Sequence, residues 1–216
     1  MQINNLQKQV DFIKEIDKIK YIQRKSRLFN SERRENDAEH SWHLAMMAIV
    51  LAEHSDKPID LLKVLKMVLI HDIVEIDAGD TFFYSSTANH DNREEELTAA
   101  KRIFGILPKE QAEELIAIWE EFEDAETDEA KFAKSMDRFE PLLQDAVNDG
   151  GSWAEFDVPY QNVYDMNKTI KNGSTTIWNY SESLIDESVE KGFLKKEANL
   201  PKEGYQTMIK DAKGRI

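Results

Sequence analysis

Residues 59–76 read IDLLKVLKMVLIHDIVEI and form the most apolar stretch of the chain. Apolar residues fall on nearly every face of a helix with this sequence, which predicts a helix buried at the centre of a domain. His71 and Asp72 stand side by side within it. Burying an imidazole beside a carboxylate is costly unless a partner compensates, and a divalent cation is one such partner. A His-Asp hydrogen bond that only supports the fold is the alternative.

Two other helical stretches carry further candidate ligands. The segment RRENDAEHSWH, residues 33–43, ends on His40 and His43. The segment FAKSMDRFEPLL, residues 132–143, places Asp137 at the border of an apolar stripe, where a carboxylate again needs a partner. These residues make a metal site more plausible than the doublet alone does.

Charge and composition restrict the classes of partner. The 216 residues carry a formal net charge of −14 and include no cysteine. This charge disfavours DNA, RNA and acidic membrane surfaces. It leaves a small phosphate ester possible, because a bound cation and a few arginines would dominate the local field. Without cysteine, disulfides, thiolate zinc sites and cysteine nucleophiles are excluded.

Length and hydropathy favour one soluble domain. A chain of 216 residues can bury one sizeable core. No apolar run reaches transmembrane length, and the first ten residues, MQINNLQKQV, lack the apolar core of a signal peptide. We therefore expect a cytoplasmic protein. We assign residues 1–195 to the domain and predict that residues 196–216 form a frayed tail.

Helical periodicity dominates the sequence, and sustained strand alternation is absent from it. This pattern predicts an all-α, single-domain helical bundle. The predicted helices cover residues 3–22, 37–54 with Asp37 as N-cap, 58–79, 93–104, 108–123 with Pro108 at the first position, a segment from 128 through Asp137, and two closing segments around 163–170 and 177–185. Asp149 to Ser152 form a predicted break.

The order H…HD…D, with ENDAEHS at residues 35–41 and HDIVEIDAGD at residues 71–80, resembles the HD superfamily of metal-dependent phosphohydrolases. Within that superfamily, the chain is similar to the branch that includes the 5′-deoxynucleotidases. The resemblance runs from about Ile16 to about Leu143. It implies an HD-type helical bundle around a metal site, and a homodimer, since family members commonly pair.

The resemblance also implies a ligand set. It assigns His40, His71, Asp72 and Asp137 to one divalent ion of the Mn, Co, Fe, Ni or Mg class, for which mixed nitrogen and oxygen ligands are suited. Dinuclear members use extra histidines between the doublet and the last aspartate, where this chain offers only His90. We interpret His43 as a packed or supporting residue, and His54 and His90 as surface histidines.

Two carboxylates resemble the family's catalytic and pocket residues. Glu75 lies four residues after His71, on the same helical face, and matches the carboxylate that orients or deprotonates the attacking water. Asp80 follows Gly79, which lets the backbone turn close to the site. The alternatives are a solvated glutamate at the helix end and an aspartate that only caps the next turn.

Phosphate binding requires fixed donors, and Arg24, Arg33 and Arg34 are the candidates. The 5′-deoxynucleotidases carry an arginine-tryptophan pair near the end of the first helix, which senses the absence of a 2′-hydroxyl. Here residues 22–28 read IQRKSRL, so the tryptophan is missing. Deoxyribose selectivity is therefore expected to be weak. Glu35 and Glu39 either support His40 or are plain surface charges.

The function indicated is a phosphomonoesterase that acts on a nucleoside 5′-monophosphate, with deoxynucleotides among the candidates. Two alternatives stay open: another HD-type hydrolase, acting on cyclic nucleotides or nucleoside polyphosphates, and a non-catalytic helical protein that binds metal and a partner. The predicted homodimer would use an aromatic C-terminal patch, unless these residues simply close the core. They are Trp153, Phe156, Tyr160, Trp178 and Tyr180.

Overall fold

The computed structural model describes residues 2–84 and 93–196, which form a helical bundle with one small sheet. The all-α prediction is confirmed. The α-helices are α1 (Gln2–Ile16), α2 (Asp37–Leu51), α3 (Leu61–Ile70), α4 (Glu75–Ala78), α5 (Arg93–Phe104), α6 (Lys109–Asp124), α7 (Asp128–Val147), α8 (Gly151–Glu155), α9 (Tyr160–Asn167) and α10 (Thr175–Glu190). Short 3₁₀ turns follow α1, α2, α3 and α9, at Asp17–Tyr21, Ala52–His54, His71–Val74 and Lys168–Asn172.

Two predictions fall on residues beyond this description. His90 and residues 197–216, which make up nearly all of the predicted tail, lie outside the described residues. Just before that limit, Leu194 is buried and its N–H donates to the carbonyl oxygen of Ser188. Within the described ranges, no helix combines the length and hydropathy needed to cross a membrane.

A two-stranded antiparallel sheet precedes α2 and was not predicted. Strand β1 (Gln23–Arg27) pairs with β2 (Arg34–Asn36), and Asn30 in the connection has a positive φ of 53°. Asparagine tolerates this left-handed conformation better than most residues. The strands are too short and too polar to produce a recognisable alternation. The sheet brings Arg24 towards the interior, where its guanidinium meets buried carboxylates.

The N-terminus of α2 corrects one prediction. Asn36, rather than Asp37, is the N-cap: its side chain accepts from the N–H of Glu39 at 3.0 Å, and the Glu39 carboxylate accepts from the N–H of Asn36 at 3.2 Å. This reciprocal capping box satisfies two backbone donors at once. Asp37 therefore begins the helix, and its fully buried side chain faces the interior.

Replacing Asn36 with Ala is expected to lower the free energy of unfolding by about 0.5–2 kcal/mol, since the capping acceptor is lost. Urea titration followed by circular dichroism measures this change. The control is Asn5→Ala on the exposed surface of α1, for which a change within about 0.5 kcal/mol is expected. Equal stabilities for the two variants would mean that Asn36 does not cap α2.

The helix of the central apolar stretch ends just before His71 and Asp72. Asp60 caps α3 by accepting from the N–H groups of Leu62 and Lys63. The helix tightens into the 3₁₀ turn at His71–Val74, and Gly79, with φ of 77°, ends the following α4. The prediction of a central helix buried on nearly every face is wrong for one side of α3, because Leu62 is 64% exposed and Leu69 is 47% exposed.

Helix α7 forms much of the wall around the site. It contacts α2, α3, α6 and α10, and continues through Pro141. Its inward face carries the fully buried Phe132, Met136 and Leu142, and Asp137 lies on this helix next to them. Helix α5 has the predicted bounds, whereas Pro108 is the N-cap of α6 rather than its first residue.

The C-terminal aromatic residues mostly close the core. Trp153 and Trp178 are 1% and 4% exposed, and only Tyr180 of the predicted patch is largely exposed. The alternative interpretation, that these rings complete the core, therefore fits the two tryptophans. The homodimer stays a prediction.

Candidate metal centre and cavity

The predicted ligands come from three parts of the fold and meet in the interior. His40 lies on α2, His71 and Asp72 lie on the 3₁₀ turn, and Asp137 lies on α7. The Asp137 Oδ1 atom is 3.1 Å from His40 Nε2 and 3.5 Å from His71 Nε2. Asp72 Oδ1 lies 3.0 Å from His71 Nε2, and Asp72 Oδ2 lies 4.0 Å from His40 Nε2. All four side chains are buried.

The tautomer of His71 indicates what this cluster accommodates. His71 Nδ1 is 3.0 Å from the carbonyl oxygen of Val68, an arrangement in which Nδ1–H must donate. The Nε2 lone pair of the neutral ring then faces the carboxylates of Asp72 and Asp137. This buried atom has no hydrogen-bond partner among the described residues. A lone pair and two carboxylates directed at one point fit a divalent cation.

Electrostatics supports the same conclusion. Burial lowers the pKa of His71, but the carboxylates of Asp72 and Asp137 outweigh it and raise the pKa to about 9. Burial favours protonated Asp137, yet the hydrogen bond from His40 and the adjacent His71 ring hold the pKa of Asp137 well below its ordinary value. Both pKa shifts show that positive charge is stabilised at the centre of this cluster. A bound cation would supply that charge.

His40 is held from its other side by residues on α7 and β2. Its Nδ1 atom is 3.2 Å from Glu140 Oε2 and 3.5 Å from Glu35 Oε2. His43 Nδ1 lies 3.1 Å from Glu140 Oε1, so His43 contacts this support rather than the ligand cluster. A carboxylate on the second nitrogen fixes the orientation of a ligand histidine. Glu35 thus has the predicted supporting position, whereas Glu39 serves the capping box and pairs with Arg33.

Sequence reasoning missed Glu140. It lies three residues after Asp137, so the helical spacing already placed both on one face of α7. That spacing, together with the buried character of the helix, was the available signal.

A second group of carboxylates lies beside the ligands. Oxygen atoms of Asp37, Glu75 and Asp80 lie within 4.8 Å of one another. Burial, followed by the charge of Asp72, raises the pKa of Asp37 to about 7. Burial and the charges of Asp72 and Asp37 raise the pKa of Glu75 well above its ordinary value. Glu75 and Asp80 therefore lie in one group of carboxylates at the site. Asp37 belongs to the same group, although the sequence predicted only a capping role for it.

Arg24 connects the two groups. Its Nη1 atom is 2.8 Å from Asp72 Oδ2 and 3.5 Å from Asp37 Oδ1, and its Nε atom is 3.8 Å from Glu35 Oε2. The guanidinium is half-buried and lies at the site, and its contact with phosphate stays a prediction. Because the Arg24 guanidinium pairs with these carboxylates, it holds them in fixed relative positions.

The other two predicted arginines are directed elsewhere. Arg33 forms two bonds of 2.9 Å to the Glu39 carboxylate on the surface. Arg34 pairs with Glu155 and donates to the carbonyl oxygen of Lys25. Neither is among the residues that line the cavity, so their placement does not support the predicted phosphate contact. Glu39, on α2, and Glu155, on α8, hold these two guanidiniums away from the cavity.

The ligand cluster opens into a cavity of about 310 Å³. Basic groups that sequence reasoning did not select line it: Lys25, Lys134 and Arg138. Arg138 lies 3.8 Å from Asp137 Oδ2, with its guanidinium 3.7 Å from the centre of the Phe83 ring. Lys134 lies 3.0 Å from Glu123 and 3.9 Å from the centre of the Phe122 ring. The cavity therefore combines acidic and basic groups beside an aromatic wall.

Comparison with known proteins places the chain in a family. A model of the HD domain family matches residues 16–178. The mouse protein 5′-deoxynucleotidase HDDC2 is 29% identical over 134 residues, which cover 62% of this chain and 66% of that protein. The Dictyostelium discoideum 5′-deoxynucleotidase HDDC2 is 30% identical over 141 residues, covering 62% of this chain and 74% of its own length. The aligned region thus spans about two thirds of the mouse relative.

A solved structure gives a closer match over more of the chain. It belongs to a predicted metal-dependent phosphohydrolase from Magnetospirillum magnetotacticum MS-1 that is 46% identical to this chain. The two superpose with a TM-score of 0.85, over 88% of this chain and 96% of the other. The family match covers most of the chain, and the resemblance first noted around His40 and His71 extends through the whole bundle. This chain belongs to the HD domain family.

Proposed function

We propose that this HD-type, metal-dependent phosphohydrolase is a phosphomonoesterase that releases phosphate from nucleoside 5′-monophosphates, including deoxynucleotides. The observation that carries the proposal is the opening of the ligand cluster into a cavity lined by carboxylates and basic side chains. At about 310 Å³, the cavity is near the lower end of the range for small-molecule sites, which favours a mononucleotide over a larger polyphosphate. The names of the curated relatives support the same substrate class.

His40, His71, Asp72 and Asp137 would hold one divalent ion of the Mn, Co, Fe, Ni or Mg class. Two imidazole nitrogens with carboxylate oxygens suit these metals better than a structural tetrahedral zinc site. When bound, such an ion supplies Lewis acidity towards the phosphoryl group and lowers the pKa of water. Glu140 and Glu35 keep the His40 ring in place for this purpose.

Glu75 is the proposed general base. It lies next to Asp72, and burial with the charges of Asp72 and Asp37 raises its pKa, which makes the carboxylate a stronger base towards water. Asp80 and Asp37 lie within reach of the same point, and we assign them to orienting that water and the substrate. Arg24 fixes Asp72 and Asp37, so that the carboxylates keep their relative positions.

Phosphate charge is assigned to Arg138 and Lys134, which replace Arg33 and Arg34 in this role. Both line the cavity, are spaced four residues apart on α7, and belong to the same helix as Asp137. A guanidinium can bind two phosphate oxygens at once, whereas a lysine acts as a point charge.

Metal analysis followed by phosphate release from a nucleotide panel tests the proposal. The panel holds 5′-monophosphates, 3′,5′-cyclic nucleotides and 5′-triphosphates, each with and without Mn²⁺ after chelation. We expect release from the monophosphates, loss on chelation and recovery with Mn²⁺. Chromatography of the nucleotide products accompanies the phosphate assay, because opening a cyclic nucleotide gives a monophosphate and releases no phosphate. Conversion of cyclic nucleotides to monophosphates, or release of pyrophosphate or tripolyphosphate from triphosphates, without hydrolysis of the monophosphates would favour another HD-type hydrolase. No hydrolysis of any substrate by the metal-loaded protein would favour a non-catalytic binding protein.

Ribo- and deoxyribonucleoside monophosphates are expected to be hydrolysed with similar efficiency. Lys25 and Ser26 line the cavity next to Arg24, where the resemblance to the 5′-deoxynucleotidases implies a tryptophan, and the buried Ser26 hydroxyl has no partner among the described residues. A polar group there can accept an added 2′-hydroxyl. Matched pairs such as AMP and dAMP measure the ratio of kcat/KM. A preference for the deoxy form of about a hundredfold or more (~2.7 kcal/mol) would contradict this interpretation.

A further inference from the structure

One face of α7 runs along the cavity away from the metal centre. Asp137, Pro141 and Asp145 all line the cavity and are spaced four residues apart. At 1.5 Å of rise per residue, the backbone positions of Asp137 and Asp145 lie about 12 Å apart. This separation is comparable to the distance from the phosphate of a nucleoside monophosphate to the far edge of its base. A phosphate at the metal centre therefore directs the nucleoside towards Asp145.

Asp145 is a buried carboxylate that the proposed chemistry does not use. It is 1% exposed, its Oδ1 atom accepts from the N–H of Ser152 at 2.6 Å, and its Oδ2 atom accepts from the Ser152 hydroxyl at 2.8 Å. Gly151, with φ of 37°, allows the backbone to approach this carboxylate closely. Each carboxylate oxygen can accept a second hydrogen bond. The Asp145 side chain is thus held in one orientation with acceptor capacity remaining.

The charge around Asp145 favours a neutral hydrogen-bond donor over another anion. Burial raises its pKa to about 7, the hydrogen bonds from Ser152 oppose this, and the charges of Glu140 and Glu155 add to the increase. Among the described residues, no lysine or arginine nitrogen lies within 4 Å of this carboxylate. A phosphate would be repelled here, whereas an amino group of the substrate could bind.

Aromatic rings form the adjoining wall. Phe82, Phe83 and Tyr84 line the cavity, and the Tyr84 hydroxyl accepts from the Asn167 amide at 2.8 Å. The Phe82 ring packs against Phe156, with the ring centres 4.7 Å apart. Flat rings suit a planar base, since stacking on an aromatic side chain is favourable for any base. Stacking alone does not select between bases, so selection falls to the polar end of the cavity.

We propose that Asp145, oriented by Ser152, is a specificity-determining residue that accepts a hydrogen bond from the exocyclic amine of the nucleobase. The consequence is a preference for cytosine over uracil, because the two differ at position 4, where cytosine has an amine and uracil an acceptor oxygen. Uracil would place that oxygen against the buried carboxylate, leaving both acceptors unpaired. A site built around a hydrogen bond rejects such an analogue strongly. This inference rests on the proposed function.

The first experiment compares dCMP with dUMP as a matched pair. Each kcat/KM is divided by that for deoxyribose 5-phosphate, which carries no base. Wild type is expected to favour dCMP by about tenfold or more, the usual scale for a hydrogen bond to a charged group. In Asp145→Asn, the ratio should fall to about one or reverse, because the amide presents a donor. Asn can still accept from the Ser152 N–H, so the turn is retained. Equal ratios in wild type would overturn the proposal.

Two further variants separate recognition from structural damage. Ser152→Ala keeps Asp145 and the backbone N–H but removes the hydroxyl that orients the carboxylate, and should lower the dCMP preference partially. Asp157→Asn makes the same chemical change at an exposed aspartate and should leave the preference unchanged. If Asp145→Asn lowers kcat/KM equally for dCMP, dUMP and deoxyribose 5-phosphate, Asp145 supports the fold and does not read the base.

Calorimetric titration of dCMP and dUMP into the Mn²⁺-loaded Glu75→Gln variant, in which hydrolysis is expected to be slow, separates binding from turnover. We expect dCMP to bind about tenfold more tightly than dUMP, with this difference lost when Asp145→Asn is added. Equal affinities for the two nucleotides, or undetectable binding of both, would overturn the inference about Asp145. Tighter dCMP binding by this variant, with no phosphate release by the wild-type protein, would instead refute the proposed phosphomonoesterase function and keep the base preference.

Discussion

Replacing Glu75 with Gln is expected to leave bound metal unchanged and to lower kcat by about 10²–10⁴-fold, the usual contribution of a general base. The substitution preserves the size of the side chain and removes its ability to take a proton from water. Because Glu75 is not in the predicted ligand set, the stoichiometry of the metal should remain that of wild type. Phosphate release under saturating substrate and elemental analysis of the same samples measure both quantities.

Glu96→Gln provides the matched control. Glu96 also lines the cavity, and burial followed by the charge of Glu123 raises its pKa, yet it belongs to neither carboxylate group of the site. We expect this variant to stay within a few fold of wild type. A Glu75 variant as active as the Glu96 variant would remove Glu75 from the mechanism, and loss of metal from the Glu75 variant would make it a ligand instead.

Replacing Asp137 with Ala is expected to abolish both metal binding and phosphate release. Asp137 Oδ1 is within 3.5 Å of the ring nitrogens of both His40 and His71, so its loss removes the group at the centre of the cluster. A ligand and a group that orients water thus fail in different ways, and the pair of variants distinguishes the two roles. Elemental analysis and the phosphate assay again provide the measurements.

The control for this variant is Asp128→Ala, which removes an exposed carboxylate from the first turn of the same helix. It is expected to keep metal and activity, with a small loss of stability from the helix N-terminus. Full metal occupancy in Asp137→Ala, with circular dichroism as in wild type, would contradict the assignment of Asp137 as a ligand.

Much of the helical architecture could be predicted from local patterns. Helix α5 has the predicted bounds, and α7 begins at Asp128 as expected, because periodicity and caps are encoded within each segment. The cap of α2 was assigned one residue too late, since Asn36 and Asp37 are both good caps and only the partner Glu39 decides between them. The two strands could not be predicted, because polar strands of three and five residues produce no recognisable hydrophobic periodicity.

The candidate site was predicted less completely than the fold. His71 and Asp72 could be recognised because polar residues in an apolar stretch require compensation. Glu140 and Arg138 could not be separated from ordinary charges on a helix until the packing of α7 was known. Arg33 and Arg34 were candidates because phosphate needs cationic donors. The pairing of Arg34 with Glu155 depends on a tertiary contact that no local pattern contains, whereas Arg33 pairs with Glu39 six residues along the chain.

Anomalous diffraction from crystals of the Mn²⁺-loaded protein, collected on both sides of the manganese absorption edge, tests the metal centre most directly. We predict one strong peak per chain, bounded by His40, His71, Asp72 and Asp137, with the Glu75 carboxylate next to it. The same peak should be absent from Asp137→Ala crystals. A peak elsewhere, or full occupancy at this position in the variant, would contradict the assigned ligand set.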